Sequence, residues 1–478
     1  MKMLIGGKPV DGLDGSLLNI INPATSQVID TVPNASREDV DRAVVIARKA
    51  QKQWARVPVY QRAEILKTFL SLVDQEKENL AQLLMSETGK PIYEARNEIA
   101  NIPVAFNAFI EKAKHLYGDM IPNGLEAGQE KNLQFTQREP LGVIVCILPF
   151  NFPVDMFDHK VAPSLLAGNA VIVKPPHQNP LTVCRVAELL IKAGVGDGVI
   201  QVVTGEGPKT GSALVSHPGI DKITFTGSTA VGIEIAKAAA ANLAHVSLEL
   251  GGNDAFIVHE DADLDLVANE MTWGRMYNCG QICCASKRFL VHHQVKDKLL
   301  AKVIENVNAL VLGSPEDENT QVACLISEEA AKKVEAQIKK TVEQGGKIVL
   351  GGKRTGAYLQ PTILVDVPKD ADVAKDMEIF GPVIPIIGFD TLEEAVEIAN
   401  SSMYGLGSCI FSSNMKTTMN VASQLECGLV VINGSSSYRS FEMPFGGYKK
   451  SGIGNEGVLS TFYAVTRLKT VVLKNIFD

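Results

Sequence analysis

The chain contains no run of about 18 consecutive apolar residues, the length a helix needs to cross a bilayer, so no transmembrane helix is expected. It carries no basic tract, and its net charge is -8. Neither nucleic acid nor an acidic membrane surface therefore has an electrostatic claim on it as a partner. Low-complexity stretches are missing as well. The opening residues, MKMLIGGKPVDG, meet glycine and charge before the apolar core of a secretory signal could form, and a cytoplasmic location is expected. The eight cysteines are scattered (146, 184, 279, 283, 284, 324, 409 and 427) and outline no disulfide framework. A second CxxC pair, which a structural zinc site would need, is not there, so no metal is expected. With only Trp54 and Trp273, a large aromatic box for a quaternary ammonium group is disfavoured.

What is present fits a globular enzyme. At 478 residues the chain exceeds one ordinary core, and two or three domains are expected. The N-terminal third reads as largely helical. Ser36 and Asp39 form a capping signal, followed by Val40, Ala43, Val44, Ala47 and Trp54 at helical spacing. From about residue 141 short β-branched runs (GVIVCI, AVIVK, VIQVV, KITFT, VSLEL) alternate with helical stretches such as 181–193 and 229–241. That alternation predicts a parallel sheet covered on both faces. A second alternating series starts near Asn253 and predicts a second α/β unit. The segment 118–138 breaks the pattern as an excursion, and the terminal LKTVVLKNIFD has the look of an exposed strand. Such strands pair readily with another copy, and a homodimer or homotetramer is expected.

Four local patterns carry chemistry. Cys283 lies in Asn278-Cys279-Gly280-Gln281-Ile282-Cys283-Cys284-Ala285 and is a candidate nucleophile, although most cysteines of this kind simply fill a core. Glu249 ends an apolar strand in Glu249-Leu250-Gly251-Gly252-Asn253. Partial burial there would raise its pKa and make it a base usable near neutrality, whereas a helix cap or salt bridge is the plainer role. Asn151, in Pro149-Phe150-Asn151-Phe152-Pro153, follows a strand and could offer its amide to a developing oxyanion, or merely make a turn. Phe225-Thr226-Gly227-Ser228 closes a strand with a glycine turn before a helix, where backbone amides can hold a pyrophosphate. Gly205-x-Gly207-x-x-x-Gly211 is a looser glycine set, and Lys174 ends another strand where its ammonium could reach ribose or phosphate.

In this order and spacing the motifs resemble the aldehyde dehydrogenase superfamily, from Asn22-Pro23-Ala24-Thr25 to Pro444-Phe445-Gly446-Gly447-Tyr448-Lys449. The resemblance includes Glu378-Ile379-Phe380-Gly381-Pro382, which implies that Glu378 holds the nicotinamide ribose and Phe380 packs the ring. It implies a Rossmann-type cofactor domain (1–117 and 139–250), an α/β catalytic domain (251–448) and bridging or oligomerisation segments (118–138 and 456–478). It also implies an NAD(P)-dependent oxidation of an aldehyde to an acid. Cys283, selected over Cys279 and Cys284 by the pattern Gly-Gln-x-Cys, adds to the carbonyl. Asn151 and the Cys283 amide stabilise the oxyanion, and Glu249 activates the water that hydrolyses the thioester. Lys174, His177, Gly207, Gly211, Phe225, Gly227, Ser228, Glu378 and Phe380 would bind cofactor.

His177 stands where many NAD-preferring members carry a ribose-binding glutamate, so NADP is expected to be accepted beside NAD. Where many succinate-semialdehyde dehydrogenases carry arginines, this chain has His159 and Tyr277. Arg439, in a loop similar to members acting on lactaldehyde or glyceraldehyde 3-phosphate, could instead pair with an anionic group, and Arg275 is a weaker candidate. The expected substrate is a short polar or anionic aldehyde of the lactaldehyde, glyceraldehyde 3-phosphate, sulfolactaldehyde or succinate semialdehyde type. A CoA-acylating relative is the alternative, which Glu249 argues against. A silent binding protein of the same fold is disfavoured by the presence of Cys283, Glu249 and Asn151, and a zinc or thiol-redox protein by the lack of a second ligand cluster.

Overall fold

A computed structural model describes residues 1–477. Two large sheets organise the chain. The first runs, edge to edge, Lys8–Val10, Met3–Ile5, Ile200–Val202, Ala170–Lys174, Val143–Ile147, Lys222–Thr226, His245–Glu249 and Gly452–Ile453. Its five central strands are parallel. Four of them, Val143–Ile147, Ala170–Lys174, Lys222–Thr226 and Ile200–Val202, are buried throughout, and the first two read accordingly as nearly continuous apolar runs. Helices cover both faces: Arg37–Trp54 with Val40, Ala43, Val44 and Ala47 in one core, and Val59–Thr88, Ile92–Ala113 and Pro153–Ala167 in the other.

The second sheet runs Lys347–Leu350, Thr362–Val365, Val383–Phe389, Ser286–His292, Asp254–Val258, Gly407–Phe411 and Leu429–Ile432. Only its first pair is antiparallel. A third, three-stranded antiparallel sheet joins Thr466–Leu473, Leu133–Pro140 and Met120–Ile121, so the excursion near 118–138 and the chain's last strand are one structure. The preceding helix Val458–Ala464 packs into the first unit through Val458 and Phe462.

The capping signal is realised in full. Ser36 Oγ accepts from the Asp39 amide at 3.2 Å, and Asp39 Oδ2 accepts from the Ser36 amide at 2.9 Å. The largely helical N-terminal third, however, holds only from residue 37. Before it come four strands, Met3–Ile5, Lys8–Val10, Leu17–Ile21 and Val28–Pro33. Their apolar runs are too short for a helix, and Gly6 and Gly7, at φ 65° and 78°, turn the first pair back on itself. Among the described residues no helix is long and apolar enough to cross a membrane.

The two large sheets meet in a way that decides where chemistry can occur. The parallel strands of the first point their carboxyl ends at the amino ends of the second, with Leu250–Asn253 linking His245–Glu249 to Asp254–Val258. In the first sheet the order reverses between Val143–Ile147 and Lys222–Thr226, the switch point at which open α/β sheets bind ligands.

Candidate active site

Pro149-Phe150-Asn151, Lys174, Gly227 and Glu249 all stand at or just beyond the carboxyl ends of neighbouring strands in the first sheet. The second sheet contributes loops that precede its strands: Cys283 before Ser286–His292, and Glu378-Ile379-Phe380 before Val383–Phe389. Residues separated by more than 200 positions thus share one cleft. The Phe150 and Phe380 rings meet edge-on, 5.8 Å between centroids.

The nucleophile loop is built on unusual backbone. Asn278 and Cys279 hold φ of 47° and 52°, and Gly280 φ of 72°. At Gly280 a Cβ would fall 2.3 Å from the Gly381 carbonyl oxygen, so this position must lack a side chain. The turn buries Cys279 and Cys284 and leaves Cys283 partly exposed. Of the three neighbouring thiols only Cys283 is open to a ligand. Its hydrogen bond with Cys284, then burial, holds its thiol well above the ordinary cysteine value, while Lys287 and Arg439 pull the other way. Phe152, Tyr277, Met443 and Phe445 pack around it, with the Phe152 and Tyr277 rings stacked at 6.3 Å.

Glu249 is 4% exposed and its Oε2 has no partner. Burial, then the nearby Glu456, raises its carboxyl well above the ordinary value, and Cys283 is among the groups acting on it. Asn151 Nδ2 donates to the Gln281 carbonyl at 2.9 Å, which fixes the amide against the nucleophile loop and leaves its second N–H available. Lys90 Nζ and Asn278 Nδ2 hold the Asn151 carbonyl at 2.9 and 3.1 Å.

Several residues here escaped sequence reasoning. Lys287, four positions after Cys283, is buried and donates to the Cys283 carbonyl at 2.5 Å; its ammonium is also 3.2 Å from Glu378 Oε1. Glu378 additionally accepts from the Gly252 amide at 3.2 Å. Lys287 therefore ties the nucleophile's backbone to the glutamate of the other loop. Glu456 pairs with both Lys160 and Arg439. Against the burial penalty, Lys160 and Arg439 hold the Glu456 carboxyl down at about 2. Neither the Ser286-Lys287-Arg288 nor the Asn455-Glu456-Gly457 context marks a buried charge in the sequence.

In the cofactor half, Lys174 is buried, donates to the Pro175 carbonyl at 3.1 Å, and burial lowers its ammonium to about 8. Its Cε lies 3.7 Å from where a Cβ on Gly211 would stand, beneath the π turn Gly207–Gly211. Gly227 cannot carry a side chain, because a Cβ would sit 2.4 Å from the Phe225 ring. Ser228 precedes the helix Thr229–Ala240 with no cap bond from its hydroxyl, leaving that terminus open to an anion. His177 is exposed, and burial followed by Lys174 lowers its imidazole, so its ring is neutral near pH 7. Glu206, which also escaped sequence reasoning, influences both Lys174 and His177 and accepts from Asn34 Nδ2 at 3.3 Å. An open helix terminus, a buried ammonium and an acidic residue on each side of the cleft fit a dinucleotide.

The substrate candidates divide. Arg275 is a structural residue, not an anion receptor: it is 0% exposed and donates to the carbonyls of Val383 and Ile379, both at 2.6 Å. It buttresses the loop carrying Glu378 and Phe380. His159 is buried, stacked on Phe441 at 5.1 Å, and burial lowers its imidazole to about 3, so it is a neutral wall. Tyr277 lines the cleft and its hydroxyl bonds Asn97. Arg439 lies over Phe445 at 4.3 Å, with Nη2 donating to Glu456 at 3.0 Å and Nε unpartnered.

Comparison with known proteins identifies the family. The aldehyde dehydrogenase family model matches residues 10–471. The chain belongs to the aldehyde dehydrogenase family. This dehydrogenase is 37% identical over 456 residues to 3-sulfolactaldehyde dehydrogenase of Priestia aryabhattai, covering 95% of this chain and 94% of that one. It is 39% identical over 458 residues to the mitochondrial succinate-semialdehyde dehydrogenase of Arabidopsis thaliana, covering 95% and 85%. The crystal structure of NADP-dependent glyceraldehyde-3-phosphate dehydrogenase from Bacillus halodurans, complexed with NADP, superposes with a TM-score of 0.96 at 37% identity, covering 99% of each chain. The fold is that of the family, and the enzyme is an NAD(P)-dependent aldehyde dehydrogenase.

Proposed function

We propose that this aldehyde dehydrogenase converts a short polar aldehyde to its carboxylic acid through a thioester on Cys283. The observation that carries the proposal is the selective exposure of Cys283 between two buried thiols, with Glu249 and Asn151 alongside. Cys283 gives up its thiol proton to solvent and adds as the thiolate to the carbonyl carbon, with Lys287 and Arg439 favouring the thiolate in that step. The free N–H of Asn151 and the Cys283 amide receive the oxyanion; removing one such donor costs roughly 10²–10³ in rate. The nicotinamide, when bound, supplies the acceptor for the aldehyde's hydride. Lys174, Ser228 and Glu378 are the residues that would hold it. Glu249 then removes a proton from water as it attacks the thioester, and the acid leaves with the Cys283 thiol restored.

NADP is accepted on this proposal because His177 supplies no negative charge to repel a 2′-phosphate. Glu206 works against it, which makes the preference a balance between two side chains. Comparing kcat/KM for NAD and NADP in the wild type and in Glu206→Ser tests this: the variant should shift toward NADP, and a strong NAD preference in both would refute it. For the main proposal, enzyme quenched during turnover and digested for mass spectrometry should carry an acyl group on Cys283. CoA-acylating chemistry, the alternative, would need added CoA for turnover and would release no free acid without it. We further propose a cytoplasmic homo-oligomer.

A further inference from the structure

Two carboxyls in the wall of the cleft take no part in the chemistry proposed above. Asp155 lies one helical turn beyond Asn151 on Pro153–Ala167, and Asp158 lies nearly one turn further. Asn101 Nδ2 donates to Asp155 Oδ1 at 3.1 Å, and among the described residues no other side chain bonds that carboxyl. Asp155 and Asn101 are both partly exposed, although Glu98, Lys90 and Arg439 surround the carboxyl. That partial exposure leaves the carboxyl open on one side although charged groups pack around it. Asn97, one turn before Asn101, is exposed and bonds Tyr277. Asp158 is 0% exposed, among the described residues both its oxygens lack partners, and it faces Asp155 and Glu98. Unpartnered buried oxygens are rare enough to call for an explanation.

The surrounding charges indicate what is missing. Glu98 answers Lys90, and Glu456 answers both Lys160 and Arg439. Among the described residues, what remains unmatched in this wall is acceptor capacity at Asp155 and Asp158, the donor Arg439 Nε, and His159 Nδ1, which can play either part. An anionic substrate group would meet Arg439 but also Asp155, and a cationic group would meet the reverse. A hydroxyl is donor and acceptor at once and satisfies both. We infer that Asp155, with Asn101 beside it, is a specificity-determining subsite that receives a hydroxyl of the substrate, so that the preferred aldehyde is neutral and hydroxylated. The inference rests on the aldehyde-oxidising function proposed above. Burial lifts the Asp155 carboxyl to about 7, which suits a group that accepts from a neutral donor more than one committed to a cation.

The test is kcat/KM for glyceraldehyde, propanal, succinate semialdehyde and aminopropanal, in the wild type and in Asp155→Leu, Asp155→Asn and Asn101→Ala. The wild type should prefer glyceraldehyde to propanal by at least roughly tenfold. Asp155→Leu should erase most of that ratio, chiefly through KM for glyceraldehyde, and Asp155→Asn, which keeps an acceptor, should retain part of it. Should Asp155→Leu fail to fold, Asn101→Ala must still lower the ratio. An unchanged ratio in the folded variants overturns the inference, as does a wild-type preference for succinate semialdehyde or aminopropanal. Failure to oxidise any aldehyde with either cofactor is a different result, because it overturns the parent function as well.

Discussion

At the residue scale the site depends on placing two groups, a thiol and a carboxyl, where each is harder to ionise than in water. Burial raises Glu249, and hydrogen bonding to Cys284 followed by burial raises Cys283. The sign of the pH dependence follows. Both groups must lose a proton to act, so kcat should climb with pH above the ordinary carboxylate range and fall as pH drops and Glu249 is protonated. Glu249→Gln should remove that limb and leave acyl-enzyme accumulating after a single burst of reduced nicotinamide, measured by rapid-quench mass spectrometry. Cys283→Ala should abolish turnover, while Cys284→Ala should retain it, because of the two residues only Cys283 is partly exposed. Activity in the first variant and none in the second would assign the nucleophile to Cys284 instead.

At the scale of elements the turn before the nucleophile is the most constrained piece. Gly280→Ala adds roughly 1–2 kcal/mol of left-handed backbone strain and presses on the Gly381 carbonyl, next to Phe380. The expected result is a raised KM for cofactor together with a lower Tm, read by steady-state kinetics and calorimetry. Ser36→Ala, by contrast, removes one cap without touching a proposed catalytic or cofactor-binding side chain and should cost about 1 kcal/mol of stability with kcat unchanged. Legibility differs between these elements for a physical reason. The helix start and the buried strands Val143–Ile147, Ala170–Lys174 and Lys222–Thr226 were readable because capping and burial leave local marks. The first four strands were not, since pairs of short runs gain their partners only from distant chain. Arg275 misled for the same reason: its position in a helix before Cys283 says nothing of the two carbonyls that occupy it.

For the whole molecule, the strand Thr466–Leu473 lies at the edge of the small sheet, with Leu468 and Val472 exposed on it. An unpaired edge of that length invites a second copy. Leu468→Lys combined with Val472→Glu should therefore shift the species seen by analytical ultracentrifugation toward monomer, and a wild type already monomeric would refute the expectation. The sequence by itself determined the alternation of strands and helices and the family motifs, Asn151, Glu249, Cys283 and Glu378 included. Each depends on patterns a few residues long. Tertiary structure alone decided that Cys283 is the partly exposed thiol, that Lys287 joins Cys283 to Glu378, that Glu456 engages Arg439, and that Asp155 stays partly exposed beside Asn101. Burial and charge pairing depend on which side chains packing brings together, as with Lys287 and Glu378 or Arg439 and Glu456, and no local pattern records them.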